Sequence, residues 1–103
     1  MANLQFNPAD VPPGSGRLVG NADAQNVAVF NVDGKFCATQ TRCTHKQAAL
    51  LDGELSGSIV TCPYHGSQFD VLSGEVVRGP ATDPLQTYPV EIEGDMGRIG
   101  IGP

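Results

Sequence analysis

The chain has 103 residues, a formal net charge of −5 and 40% hydrophobic residues, which is enough for one domain with a modest core and too little for a second. The acidic balance argues against nucleic acid, which draws basic surfaces, and fits a protein that meets a basic patch on a partner. Thirteen glycines and eight prolines fall between short apolar runs, the composition of turn-rich β structure rather than of disorder.

In chain order, residues 4–6 read as a first strand, and Asp10-Val11-Pro12-Pro13-Gly14-Ser15-Gly16 as a loop, because proline cannot donate to a ladder. Residues 26–32 alternate Val27 and Val29 with Ala28, Phe30 and Val32. Asp33-Gly34 then supplies a two-residue hairpin turn, and residues 35–40 return as the partner strand. Cys37 lies in that strand among apolar neighbours and is expected to be a small buried side chain. Residues 50–55 lead into a short strand at 58–61, and residues 68–71 and 75–77 flank Ser73-Gly74 as a second hairpin. Residues 85–93 alternate well enough for one long strand with Val90 and Ile92 on one face, and Gly94-Asp95 turns it back into 96–101. Helical periodicity does not extend beyond a turn, with 46–50 the one candidate stretch. The fold class is all-β.

Cys43-Thr44-His45 is separated by sixteen residues from Cys62-Pro63-Tyr64-His65. This pattern takes both histidines of the chain and two of its three cysteines. Three cysteines make no disulfide framework without a leftover. No apolar stretch reaches membrane-spanning length, and Met1-Ala2-Asn3-Leu4-Gln5-Phe6 lacks a charged-then-apolar leader pattern. A cytoplasmic setting is therefore expected, where thiols stay reduced and a Cys/His cluster means metal. Two Cys and two His can hold zinc tetrahedrally. A zinc finger, however, groups both cysteines in one knuckle and both histidines on a helix, whereas here each loop carries one sulfur and one nitrogen.

The C-x-H…C-x-x-H pattern continues through Cys62-Pro63-Tyr64-His65-Gly66-Ser67-Gln68-Phe69-Asp70, Ser73-Gly74, Gly79-Pro80-Ala81 and Pro84-Leu85. In this it resembles Rieske proteins, and among them the ferredoxin components of bacterial ring-hydroxylating dioxygenases. The resemblance implies a Rieske fold of antiparallel sheets, with a sandwich- or barrel-like base. It also implies a cluster-binding subdomain at about 43–69 and a covering loop at about 79–81, all within one domain. It implies one [2Fe–2S] cluster, with Cys43 and Cys62 on the inner iron and His45 and His65 on the outer. Two neutral imidazoles in place of thiolates remove negative charge and raise the potential to about −150 to +300 mV, against about −400 mV for plant-type ferredoxins.

Neighbours of the ligands tune that value. Ser67 falls where high-potential members place a hydroxyl that donates to a bridging sulfide. Phe69 falls where they carry a tyrosine bonded to a cysteine sulfur. Ala48 and Tyr64 fall where respiratory members carry a disulfide between the loops. Lys46, after His45, is either a solvated charge or a charge that favours the reduced cluster and helps docking. Pro80 would shield the cluster without adding an N–H.

The function implied is one-electron transfer from a flavin-containing reductase to a terminal aromatic-ring-hydroxylating oxygenase, by a monomer that is no enzyme itself. No G-x-G-x-x-G precedes a helix, and the acidic Asp52, Glu54, Asp70 and Glu75 lack the pairing of acid–base catalysis. The alternatives are a Rieske-like small subunit of an assimilatory nitrite reductase and a zinc-stabilised binding module.

Overall fold

The computed structural model describes residues 2–20, 26–44, 48–64 and 66–101. His45, Lys46, Gln47 and His65 lie outside them. In chain order the strands are β1 (Ala2–Phe6), β2 (Gly16–Gly20), β3 (Asn26–Val32), β4 (Lys35–Thr39), β5 (Glu54–Ser56) and β6 (Ile59–Thr61). They continue as β7 (Gln68–Asp70), β8 (Val76–Arg78), β9 (Thr87–Tyr88), β10 (Val90–Glu93) and β11 (Met96–Ile101). All pairings are antiparallel and fall into three sheets: β1-β11-β10, β2-β3-β4-β9 and β5-β6-β7-β8. Single 3₁₀ turns occur at Pro8–Asp10 and Leu50–Asp52.

β3 is the wall between two cores. Val27 and Val29 join Leu4, Phe6, Val11, Val19, Ala38 and Ile99 in the core of the base. From the opposite face Ala28, Phe30 and Val32 join Leu50, Val60, Phe69, Val71 and Leu85 in a second core that also contains Cys43 and Cys62. Burial on both faces explains why this strand is almost unbrokenly apolar, for neither side meets water. Its hairpin closes on Asp33 (φ 53°) and Gly34 (φ 94°), the pair of left-handed conformations that a tight β-turn of this hand requires. Buried Asn31 locks that corner, with Nδ2 donating to the Val11 carbonyl at 2.7 Å and Oδ1 accepting from the Gly34 N–H at 2.7 Å.

The strands read at 26–32, 35–40, 58–61 and 96–101 stand within a residue of their expected limits, and the Ser73-Gly74 hairpin joins β7 to β8. The stretch 85–93 is not one strand. It breaks at Pro89, which has no N–H to give a ladder, so β9 pairs with β4 while β10 pairs with β11. Val90 is half-buried and Ile92 is 44% exposed. β2 has no counterpart in the sequence reading, because its glycine ends and Arg17 hide a strand that buries Val19 alone. The helical candidate at 46–50 lies partly outside the described residues; the turn that does form begins at Leu50. Cys37 is half-buried rather than buried.

Candidate metal centre

Cys43 and Cys62 each open a short loop, and both loops close in the same way. The Cys43 N–H donates to the Ala48 carbonyl at 2.8 Å, and the Cys62 N–H to the Ser67 carbonyl at 2.7 Å. Each backbone bond spans five residues and puts its cysteine at the neck of a loop. The neighbouring sheet fixes the second neck, since β6 ends at Thr61 and pairs with β7 through Thr61–Gln68. Gly66, at φ 73°, turns the chain back, a conformation that a side chain would strain.

A third segment joins the two loops. The Ser67 hydroxyl, fully buried, accepts the Ala81 N–H at 3.0 Å. From the first loop the Thr44 hydroxyl donates to the Asp83 carbonyl at 2.8 Å. Residues 79–83 thus form a strap held by one hydroxyl from each loop. No disulfide links the loops.

Both cysteine side chains belong to the second core. Cys43 and Cys62 are 0% and 1% exposed, and their side chains are in hydrogen-bonding contact. Burial raises the Cys62 thiol above its usual pKa, the Tyr64 N–H bonded to its sulfur opposes that shift, and the adjoining Cys43 adds to it. A thiol held in a dry core, as Cys62 is, resists ionising unless a cation compensates. A thiophilic metal provides that compensation, and soft sulfur donors select for it. The residues present therefore fit a metal centre.

The structure brings Cys43, Cys62, Ser67, Ala48 and Phe69 together in the second core or at its edge. Phe69 is fully buried and brings no hydroxyl to the sulfurs. Tyr64 is 62% exposed, and Pro63, Gly79 and Pro80 are exposed as well. His45, His65 and Lys46 lie outside the described residues. Among those described, no three His, Cys, Asp or Glu side chains converge on one point. Thr44 and Asp83 were not anticipated; a threonine between Cys43 and His45 is the only local hint of a partner thirty-nine positions away.

A three-sheet all-β domain holding two buried cysteine sulfurs at the necks of strapped loops is a metal-cluster carrier in outline. The chain belongs to the Rieske [2Fe–2S] domain family, whose model matches residues 4–89. That family carries one Rieske-type [2Fe–2S] cluster. The chain is 48% identical over 86 residues to the biphenyl dioxygenase ferredoxin subunit of Pseudomonas sp. (strain KKS102), covering 82% of this chain and 78% of the relative. Among solved structures it is similar to the Sphingomonas yanoikuyae B1 ferredoxin, with a TM-score of 0.86 and 38% identity over 93% of this chain and 94% of that one. It is also similar to a chain in the complex of reduced oxygenase and oxidised ferredoxin in carbazole 1,9a-dioxygenase. There the TM-score is 0.85 and the identity 34%, covering 92% of this chain and 91% of that one.

Proposed function

We propose that this chain is a cytoplasmic, monomeric one-electron carrier that takes electrons from a flavin-containing reductase and passes them to a terminal aromatic-ring-hydroxylating oxygenase, without being an enzyme itself. The observation that carries the reading is the pair of buried cysteines, each at the neck of a short loop, with the two loops tied to one strap at residues 79–83. Similarity to a ferredoxin subunit and to a chain in a complex of oxygenase and ferredoxin supports the choice of partner. Among the described residues no helix is long and apolar enough to cross a membrane.

Cys43, His45, Cys62 and His65 are the proposed ligands, within a cluster-binding lobe at about 43–69 covered by residues 79–81. When bound, a Rieske cluster supplies reversible one-electron storage at a potential above that of an all-cysteine site. The protein's own part is to keep the sulfurs dry, to give the Cys62 sulfur one backbone N–H through Tyr64, and to hold Ser67 where its hydroxyl hydrogen remains available after the oxygen accepts from Ala81. With Phe69 offering no second donor, the potential belongs at the low end of the family range. The test is rapid mixing of the reduced holoprotein with a ring-hydroxylating oxygenase. Reoxidation coupled to product formation is expected; a holoprotein that a flavin reductase reduces but no such oxygenase reoxidises would overturn the reading.

A further inference from the structure

The chain crosses between the base sheets and the cysteine-bearing sheet twice, outward through residues 40–42 and back through residues 84–86. Each crossing is anchored on the cysteine side. The Thr41 carbonyl accepts the Leu50 N–H at 2.9 Å, and the Leu85 N–H donates to the Gly74 carbonyl at 2.8 Å. On the base side β4 and β9 pair only through Ala38–Tyr88 and Thr39–Thr87.

One residue joins the crossings between these anchors. The Gln40 N–H donates to the Gln86 carbonyl at 2.9 Å, and its Oε1 accepts the Gln86 N–H at 2.8 Å. Its Nε2 donates to the Arg42 carbonyl at 2.8 Å. The backbone carbonyl that would otherwise extend the ladder is engaged by the Thr39 hydroxyl at 2.8 Å, so the side-chain oxygen takes its place. Two further rungs of contact, Gln40–Gln86 here and Thr44–Asp83 beyond, run up toward the cysteine loops.

We propose that Gln40 is a positioning residue whose side-chain amide locks the two crossings into one rigid neck, and so fixes the attitude of the cysteine-bearing sheet against the base. Its consequence for electron delivery rests on the carrier function proposed above. Transfer between proteins depends on a reproducible approach geometry, and a misplacement of about 1 Å is costly. Without the amide, the Gln40 N–H still bonds the Gln86 carbonyl, but the Gln86 N–H loses its acceptor and the neck loosens.

The test uses the full-length holoprotein with Gln40→Leu, which removes both side-chain bonds, and Gln40→Glu, which keeps the acceptor for the Gln86 N–H. Hydrogen exchange at Gln86 is expected to speed up about tenfold in the leucine variant and to stay near wild type in the glutamate variant. The Val60 and Phe69 amides, the absorption spectrum and the potential should not change. Electron delivery to the oxygenase should fall several-fold in the leucine variant alone. Unchanged Gln86 exchange in that variant would overturn the neck, whatever the chain's function. Faster exchange with undiminished delivery would leave Gln40 a structural residue and overturn the positioning role. A wild-type protein that delivers no electrons would instead defeat the carrier reading, and the exchange measurement would still judge the neck. Should the leucine variant not fold, Gln40→Asn, too short to reach both partners, takes the same comparison.

Discussion

Gly53→Ala should separate assembly of the centre from mere stability. Gly53 has φ −91° and ψ −174°, which any residue can adopt, so its glycine is required by space rather than by conformation. A Cβ there would overlap the Thr61 carbonyl oxygen and lie 3.3 Å from the Leu50 carbonyl. Both obstacles are backbone, and Thr61 directly precedes Cys62. Relief requires the Thr61 peptide to retreat by on the order of 1 Å, at a cost of about 1–3 kcal/mol. For a domain of this size each kcal/mol lowers Tm by roughly 4–8 °C. The control is Gly57→Ala in the neighbouring hairpin turn, where φ is +62° and no atom lies within 4 Å. That change costs about 1–2 kcal/mol of left-handed strain and leaves Cys62 where it is. Thermal unfolding together with iron per chain is the assay. Both variants should melt earlier, but only Gly53→Ala should lose iron. Full iron in Gly53→Ala at an unchanged Tm, or equal iron loss in both, would refute the reasoning.

Three further outcomes follow from the site. Ser67→Ala removes the buried acceptor of the Ala81 N–H, so unfolding should become easier by about 1–3 kcal/mol. With one donor lost, the potential should fall by roughly 40 mV, the one-electron equivalent of about 1 kcal/mol; an unchanged value in voltammetry would remove Ser67 from the sulfur environment. Phe69→Tyr should raise the potential by a similar amount if the hydroxyl reaches a ligating sulfur, whereas lost stability at constant potential would show that it does not. Burial pushes the Cys37 thiol up to about 11, with Asp70 adding and Lys35 opposing. Its alkylation at pH 8 should therefore run about a hundredfold slower than that of an ordinary thiol. Because the folded state holds this proton more tightly, that contribution to stability is present below about pH 9 and should be lost as pH rises toward 11; fast labelling of the native protein at pH 8 would contradict it.

The parts legible in the sequence are those set by neighbours along the chain. Asp33-Gly34 specifies its hairpin through two left-handed residues, and the two cysteine loops are short enough for spacing and turn chemistry to define them. Alternation alone misled at 85–93, where Pro89 lets the chain change sheets without disturbing the apolar pattern. β3 read as a strand, but not as the wall between two cores, because burial of its second face depends on Leu50, Phe69 and Leu85 arriving from far along the chain. The strap and the neck were illegible for the same reason. Thr44 finds Asp83 across thirty-nine positions and Gln40 finds Gln86 across forty-six, and nothing local marks a glutamine as the partner of a distant amide.

Potentiometric titration of the purified holoprotein at pH 7 tests the central claim most directly. A Rieske centre held by Cys43, His45, Cys62 and His65, with Ser67 as a hydroxyl donor and Phe69 offering none, should titrate as one electron near roughly −150 mV. A one-electron wave near about −400 mV would mean that the two imidazoles do not hold the outer iron, and a redox-silent protein containing zinc would contradict the account altogether.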